Sequence, residues 1–155
     1  MRKAILFFAV FALAGSLWAE DLRVGTWKLN VAKSKMPSSA QQALKEETLV
    51  AREVGDYYEV TSTGKDMDGA TFSSKYTFPI QGGTAKYQNA LPEGISDIFT
   101  IIDANTMYLT RLRNGKQVFV LRSVISKDGK TMQNTTIGID ADGKPFERVT
   151  VFDRQ

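Results

Sequence analysis

Two pairs of carboxylates are the first groups in this chain whose spacing could do chemistry. Asp66-Met67-Asp68-Gly69 and Asp140-Ala141-Asp142-Gly143 each set two acids two residues apart. Such pairs could share a proton in acid–base work or face one calcium ion. A calcium loop also needs a distal glutamate, and the positions that should hold it are Thr77 and Val151. Both pairs therefore read as hairpin turns with solvated aspartates. Among all 155 residues there is no histidine and no cysteine. That excludes a Ser-His-Asp triad, a thiol nucleophile, a disulfide and histidine-held zinc or haem. No metal or cofactor is expected, and an enzyme would have to work with carboxylates, tyrosines or arginines alone.

A second constellation suits binding better than catalysis. Phe72, Tyr76 and Phe78 share one parity, as do Phe146, Arg148, Thr150 and Phe152. Alternate residues of a strand face the same side, so each set lies on one face. A wall of aromatics with a few hydroxyls and one arginine is what an amphipathic ligand needs. A packed core with wet ends shows the same pattern, since small barrels can be filled or hollow. The candidate ligand residues read this way are Arg148, Tyr76, Phe78, Phe146 and Thr150. Asn134-Thr135-Thr136 matches a glycosylation sequon, but its mid-strand place makes it incidental.

The elements that must carry these residues are short alternating runs between turn signals. Strands are expected over 22–29, 48–54, 57–63, 71–78, 85–88, 97–102, 106–112, 116–126, 131–139 and 146–152. Asp68-Gly69, Asn114-Gly115, Asp128-Gly129 and Asp142-Gly143 tolerate the positive φ of tight hairpins. Tight turns imply antiparallel neighbours, and a long meander hides its edges best by closing on itself. The expected fold is all-β, an antiparallel up-and-down barrel of about eight to ten strands. One short helix is expected after the first strand, over 40–47 behind Ser38 and Ser39, as a lid or a plug.

Ahead of the barrel, Met1-Arg2-Lys3, an apolar run over 4–14 and Gly15-Ser16-Leu17-Trp18-Ala19 have the three parts of an export signal. The run is too short for the roughly 20 residues of a membrane span. Cleavage is expected after Ala19, with Ser16 as the alternative, leaving 20–155 as one exported domain in the periplasm or outside the cell. Losing Arg2 and Lys3 takes the 20 basic residues to 18 against 17 acidic ones. With net charge near +1 and no basic run, no nucleic-acid partner is expected, nor stable membrane insertion after cleavage.

Gly25-Thr26-Trp27-Lys28-Leu29 resembles the Gly-x-Trp opening of lipocalins and the opening strand of intracellular fatty-acid-binding proteins. The resemblance agrees with Gly25 bending the chain into the barrel and Trp27 closing its base. The longer string over 25–35, with Ser126-Lys127-Asp128-Gly129-Lys130-Thr131-Met132 and Gly143-Lys144-Pro145, resembles a family of uncharacterised secreted bacterial lipocalin-like proteins. That likeness implies fold and export and brings no activity with it. Fatty-acid-binding proteins hold a carboxylate with two late-strand arginines, the second followed two residues later by tyrosine. By that resemblance Arg122 matches the first and Arg148 the second, while Thr150 stands where the tyrosine should be. The leading expectation is a non-catalytic carrier of a small apolar or amphipathic ligand. A protein-interaction or inhibitor module on a filled barrel is the alternative, and a carboxylate- or tyrosine-based enzyme the third.

Overall fold

The computed structural model describes residues 21–36, 43–140 and 142–155. Residues 1–20, which include the expected export signal, residues 37–42, which include the start of the expected helix, and Ala141 lie outside them. Eleven strands form one antiparallel sheet among the described residues: β1 (Gly25–Leu29), β2 (Leu44–Val54), β3 (Tyr57–Asp66), β4 (Thr71–Pro79), β5 (Gly83–Thr84), β6 (Lys86–Tyr87), β7 (Ile95–Ile101), β8 (Thr106–Arg113), β9 (Lys116–Ile125), β10 (Thr131–Ile139) and β11 (Pro145–Arg154). Their order is β5-β7-β8-β9-β10-β11-β1-β2-β3-β4-β6. No described helix is long and apolar enough to cross a membrane.

The order explains how the meander closes. The last strand returns beside the first, with Trp27 opposite Arg154 and Leu29 opposite Phe152. The remaining gap, between β4 and β7, is bridged by residues 83–87. Thr84 pairs with Ile98 of β7, whereas Lys86 pairs with Thr77 of β4. The chain changes neighbours at Ala85, whose amide donates to the Asp97 carbonyl at 2.9 Å. Eight to ten expected strands thus become eleven, because the strand expected over 85–88 shrinks to Lys86–Tyr87 and a second two-residue strand, Gly83–Thr84, precedes it with a different partner.

The expected helix is also corrected. Leu44–Glu47 belongs to β2, where Glu47 lies opposite Gly64 and Glu46 opposite Lys65. Good helix formers are overridden here by strand pairing, since propensity is a weak prior against tertiary contacts. Among the described residues the helical piece after β1 is a 3-10 turn, Val31–Lys33, in which the Asn30 side chain accepts from the Lys33 amide. At the β8–β9 hairpin Asn114 (φ 50°) and Gly115 (φ 76°) make the positive-φ turn that their types predict.

The buried core falls into two clusters. Trp27, Leu29, Ile125, Met132 and Phe152 form one buried cluster at the closed end. Tyr58, Val60, Phe78 and Phe99 form a second, with Phe78 stacked on Phe99 at 3.8 Å between centroids. Trp27 is 1% exposed, and its indole nitrogen donates to the Arg23 carbonyl at 3.2 Å. The Arg154 guanidinium stacks 4.3 Å above the indole and donates from Nη1 to the Val24 carbonyl at 2.7 Å. Gly25, at φ 134°, lets the backbone pass under that guanidinium; a Cβ there would lie 2.7 Å from Nη1. Beside this base the Tyr58 hydroxyl donates to the Asp21 carboxylate, which also pairs with Arg23 at 3.4 Å. Burial first, and then Asp21, push the Tyr58 hydroxyl up to about 12.

Candidate functional site

Above the closed-end core the barrel is hollow. A cavity of about 640 Å³ runs to the end where the exposed Arg113 and Ile139 stand on its rim. A smaller, mostly apolar chamber of about 90 Å³ lies below it, among Trp27, Tyr58, Phe99 and Met132. Leu49, Tyr76, Leu109, Leu121 and Asn134 line both.

Strand parity decides which side chains reach the cavity. On β11 the inward set is Phe146, Arg148, Thr150 and Phe152, the face that alternation groups together. Tyr76 also lines the large cavity, whereas Phe78 lines only the smaller chamber. Gly25 and Trp27 sit at the base. Arg122 is placed differently from its expectation: it is exposed on the outer wall. β9 is apolar on both faces, and it turns Phe119, Leu121, Ser123 and Ile125 inward instead. The second interior arginine is Arg111, one strand earlier.

Arg111 belongs to a buried polar unit in the wall. Asp97 lies directly opposite it in the β7–β8 ladder and is 0% exposed. Its two oxygens accept from Arg111 Nε and Nη2, each at 2.7 Å, in the paired geometry that suits guanidinium and carboxylate. The Tyr87 hydroxyl donates to the same carboxylate at 2.5 Å. This unit fastens the bridging segment 83–87 to β7, and the guanidinium also lies 5.0 Å from the Phe119 ring centroid. The hydrogen bonds to Asp97 hold Arg111 above its ordinary value. Burial, reinforced by Asp97, pushes the Tyr87 hydroxyl well up, and burial does the same to Tyr76.

The second polar group lies on β10, β11 and β2. Thr136 pairs with Arg148 and Asn134 with Thr150, so the four side chains form one block on the inner wall. Glu47 reaches the same space from β2 and accepts from the Ser62 hydroxyl at 2.7 Å. Burial raises the Glu47 carboxyl against that bond and against the attraction of Arg148. Burial lowers Arg148, and Glu47 opposes it. The lining carries Arg111, Arg113 and Arg148 against Glu47 and Asp140, with Asp97 directly behind Arg111. The charges of the described wall therefore cancel.

The carboxylate pairs at 66–68 and 140–142 lie in turns that Asp66 and Asp140 cap. Asp140 Oδ1 accepts from the Asp142 and Lys144 amides, each at 2.9 Å, and Asp66 Oδ1 accepts from the Ala70 amide at 2.9 Å. No group of three metal-ligating acids occurs among the described residues. Alternation missed Arg111, Asp97, Glu47, Asn134 and Thr136. Three of them carried a usable signal: Arg111 shares parity with Met107 and Leu109, and Asn134 and Thr136 share it with Met132.

Among solved structures, the zebrafish ileal bile acid-binding protein, crystallised with cholic acid, has this architecture. The TM-score is 0.52 over 86% of this chain and 99% of that one, at 10% sequence identity. The likeness shows the fold, an antiparallel β-barrel. No protein-family model and no curated protein matches the sequence.

Proposed function

We propose that this protein is an exported, non-catalytic carrier that binds one small apolar or amphipathic molecule inside the barrel. The observation that carries the reading is the cavity of about 640 Å³, within the range of small-molecule pockets and walled by alternating apolar and polar side chains. A filled barrel serving only as a protein-interaction scaffold would leave no such space. Cholic acid bound to a barrel of the same architecture supports the ligand class. The basic, apolar and small-residue segments over 1–19 support export to the periplasm or beyond, as does the resemblance to secreted bacterial lipocalin-like proteins. Catalysis is disfavoured by how the interior groups are engaged. Asp97 is held by Arg111 and Tyr87, Glu47 by Ser62, and burial keeps Tyr76 and Tyr87 protonated.

The test is titration of the delipidated protein with the neutral fluorophore N-phenyl-1-naphthylamine. One saturable site is expected in the wild type and loss of that site in Ser74→Trp, which pushes an indole into the cavity from β4. Non-saturable fluorescence, or a site that survives Ser74→Trp, would refute the reading.

A further inference from the structure

We propose that the ligand is a neutral amphiphile whose head carries hydroxyl groups, and that Asn134 and Thr136 read that head. This inference rests on the carrier reading and names the ligand class of the same cavity. Asn134 is 8% exposed and Thr136 2%, yet Asn134 Oδ1 and Thr136 Oγ1 are buried without a hydrogen-bond partner among the described residues. Buried polar groups are nearly always satisfied, and an orphan usually marks a place for water or a ligand. These two sit side by side on one face of β10, in the wall of the large cavity. One step toward the closed end come Met132 and Phe152, packed in the core; one step toward the mouth come Gly138 and Phe146. The orphaned atoms therefore form a polar belt between apolar zones, where a polar head joined to an apolar body would lie.

Chemistry then selects the head. An amide oxygen can only accept, so its partner must be a donor, which an ionised carboxylate is not. A hydroxyl donates to Asn134 Oδ1 and exchanges either role with Thr136. Charge points the same way. Arg111 already faces Asp97 and Arg148 faces Glu47, and Asp140 offsets the charge of Arg113 at the rim, so an added carboxylate would meet a wall of zero net formal charge. A site built around hydroxyl partners discriminates strongly against an analogue lacking them, because its own polar groups are then left dry and unpaired.

Monolaurin and lauric acid carry the same acyl chain and differ in the head, so displacement of N-phenyl-1-naphthylamine from the full exported chain at pH 8 compares them directly. Monolaurin is expected to displace the fluorophore at a concentration at least about tenfold lower, the worth of one good hydrogen bond. Thr136→Val keeps the shape and removes the hydroxyl; it should weaken monolaurin by about tenfold, leave lauric acid unchanged, and leave the unfolding midpoint equal or higher. Asn134→Leu should repeat that pattern. A residue with a purely structural role would lower the midpoint instead. Equal displacement by the two lipids, or wild-type monolaurin affinity in both variants, would overturn the inference while leaving the carrier reading intact. Failure of the fluorophore to bind the wild type would end both.

Discussion

Replacing Arg111 by methionine removes the cation from a carboxylate that has no access to solvent. Asp97 is 0% exposed, and two of the three side-chain hydrogen bonds it accepts come from Arg111. Methionine keeps the length of the stem and its packing on Phe119 but leaves Asp97 with only the Tyr87 hydroxyl. Breaking a buried pair from one side typically costs about 3–5 kcal/mol, and Arg111→Met should fall in that range. The converse change, Asp97→Asn, should cost less, about 1–3 kcal/mol. It leaves behind an arginine whose side chain is still 31% exposed and can turn its charge toward the cavity. Joining both changes gives a neutral asparagine beside a thioether, and the double variant should be more stable than Arg111→Met alone. That is a coupling of roughly 1.5–3 kcal/mol. Urea unfolding followed by tryptophan fluorescence reads all four proteins, and in a chain cut after Ala19 the signal belongs to Trp27 alone. An Arg111→Met loss below about 1 kcal/mol, or a larger loss for Asp97→Asn, would refute the idea that this ion pair is a sealed part of the wall.

The other predictions probe the base, the outer wall and pH. Trp27→Ala should cost about 3–5 kcal/mol through lost burial and a residual cavity; a loss below about 1 kcal/mol would mean the indole does not close the barrel. Gly25→Ala should cost about 1–3 kcal/mol, because it strains a φ of 134° and displaces Arg154 from the indole. Arg122→Met should leave fluorophore and monolaurin affinity within about twofold of wild type, since its side chain is outside; a tenfold loss would invert the parity of β9. Hydrogen bonds from Asn30 and Lys33 hold the Asp153 carboxyl below its ordinary value of 3.8. A depressed acid stabilises the fold above its ordinary value, and that contribution vanishes as pH falls through the folded value. Asp153→Asn should thus melt lower than wild type at pH 7, with the gap shrinking as pH falls below 3.8, and a gap of constant size down to acid pH would contradict the assignment.

Turn chemistry and alternation made much of the barrel legible. The β10 boundaries emerge as expected, and the inward face of β11 follows from Phe146, Arg148, Thr150 and Phe152 alternating with Glu147 and Asp153. Where alternation fails, so does the reading. Val118 to Val124 is apolar on both parities, so local pattern cannot orient Arg122, and only the positions of β8 and β10 decide it. Residues 44–47 are helix formers by type, and they become strand because β3 lies beside them with Ser62 ready to bond Glu47. The Asp97–Arg111–Tyr87 unit joins three strands across sequence gaps of 10 and 14 residues, and only the register between strands reveals it. Residues 83–87 switch partners at Ala85, a tertiary event with no local signature.

Native mass spectrometry of the protein purified from the cells that make it, before and after delipidation, tests the central claim most directly. A carrier should show one adduct of a few hundred daltons per chain, lost on delipidation, regained from a lipid extract of those cells, and prevented by Ser74→Trp. A bare mass at every stage, with no adduct regained from the extract, would contradict the account.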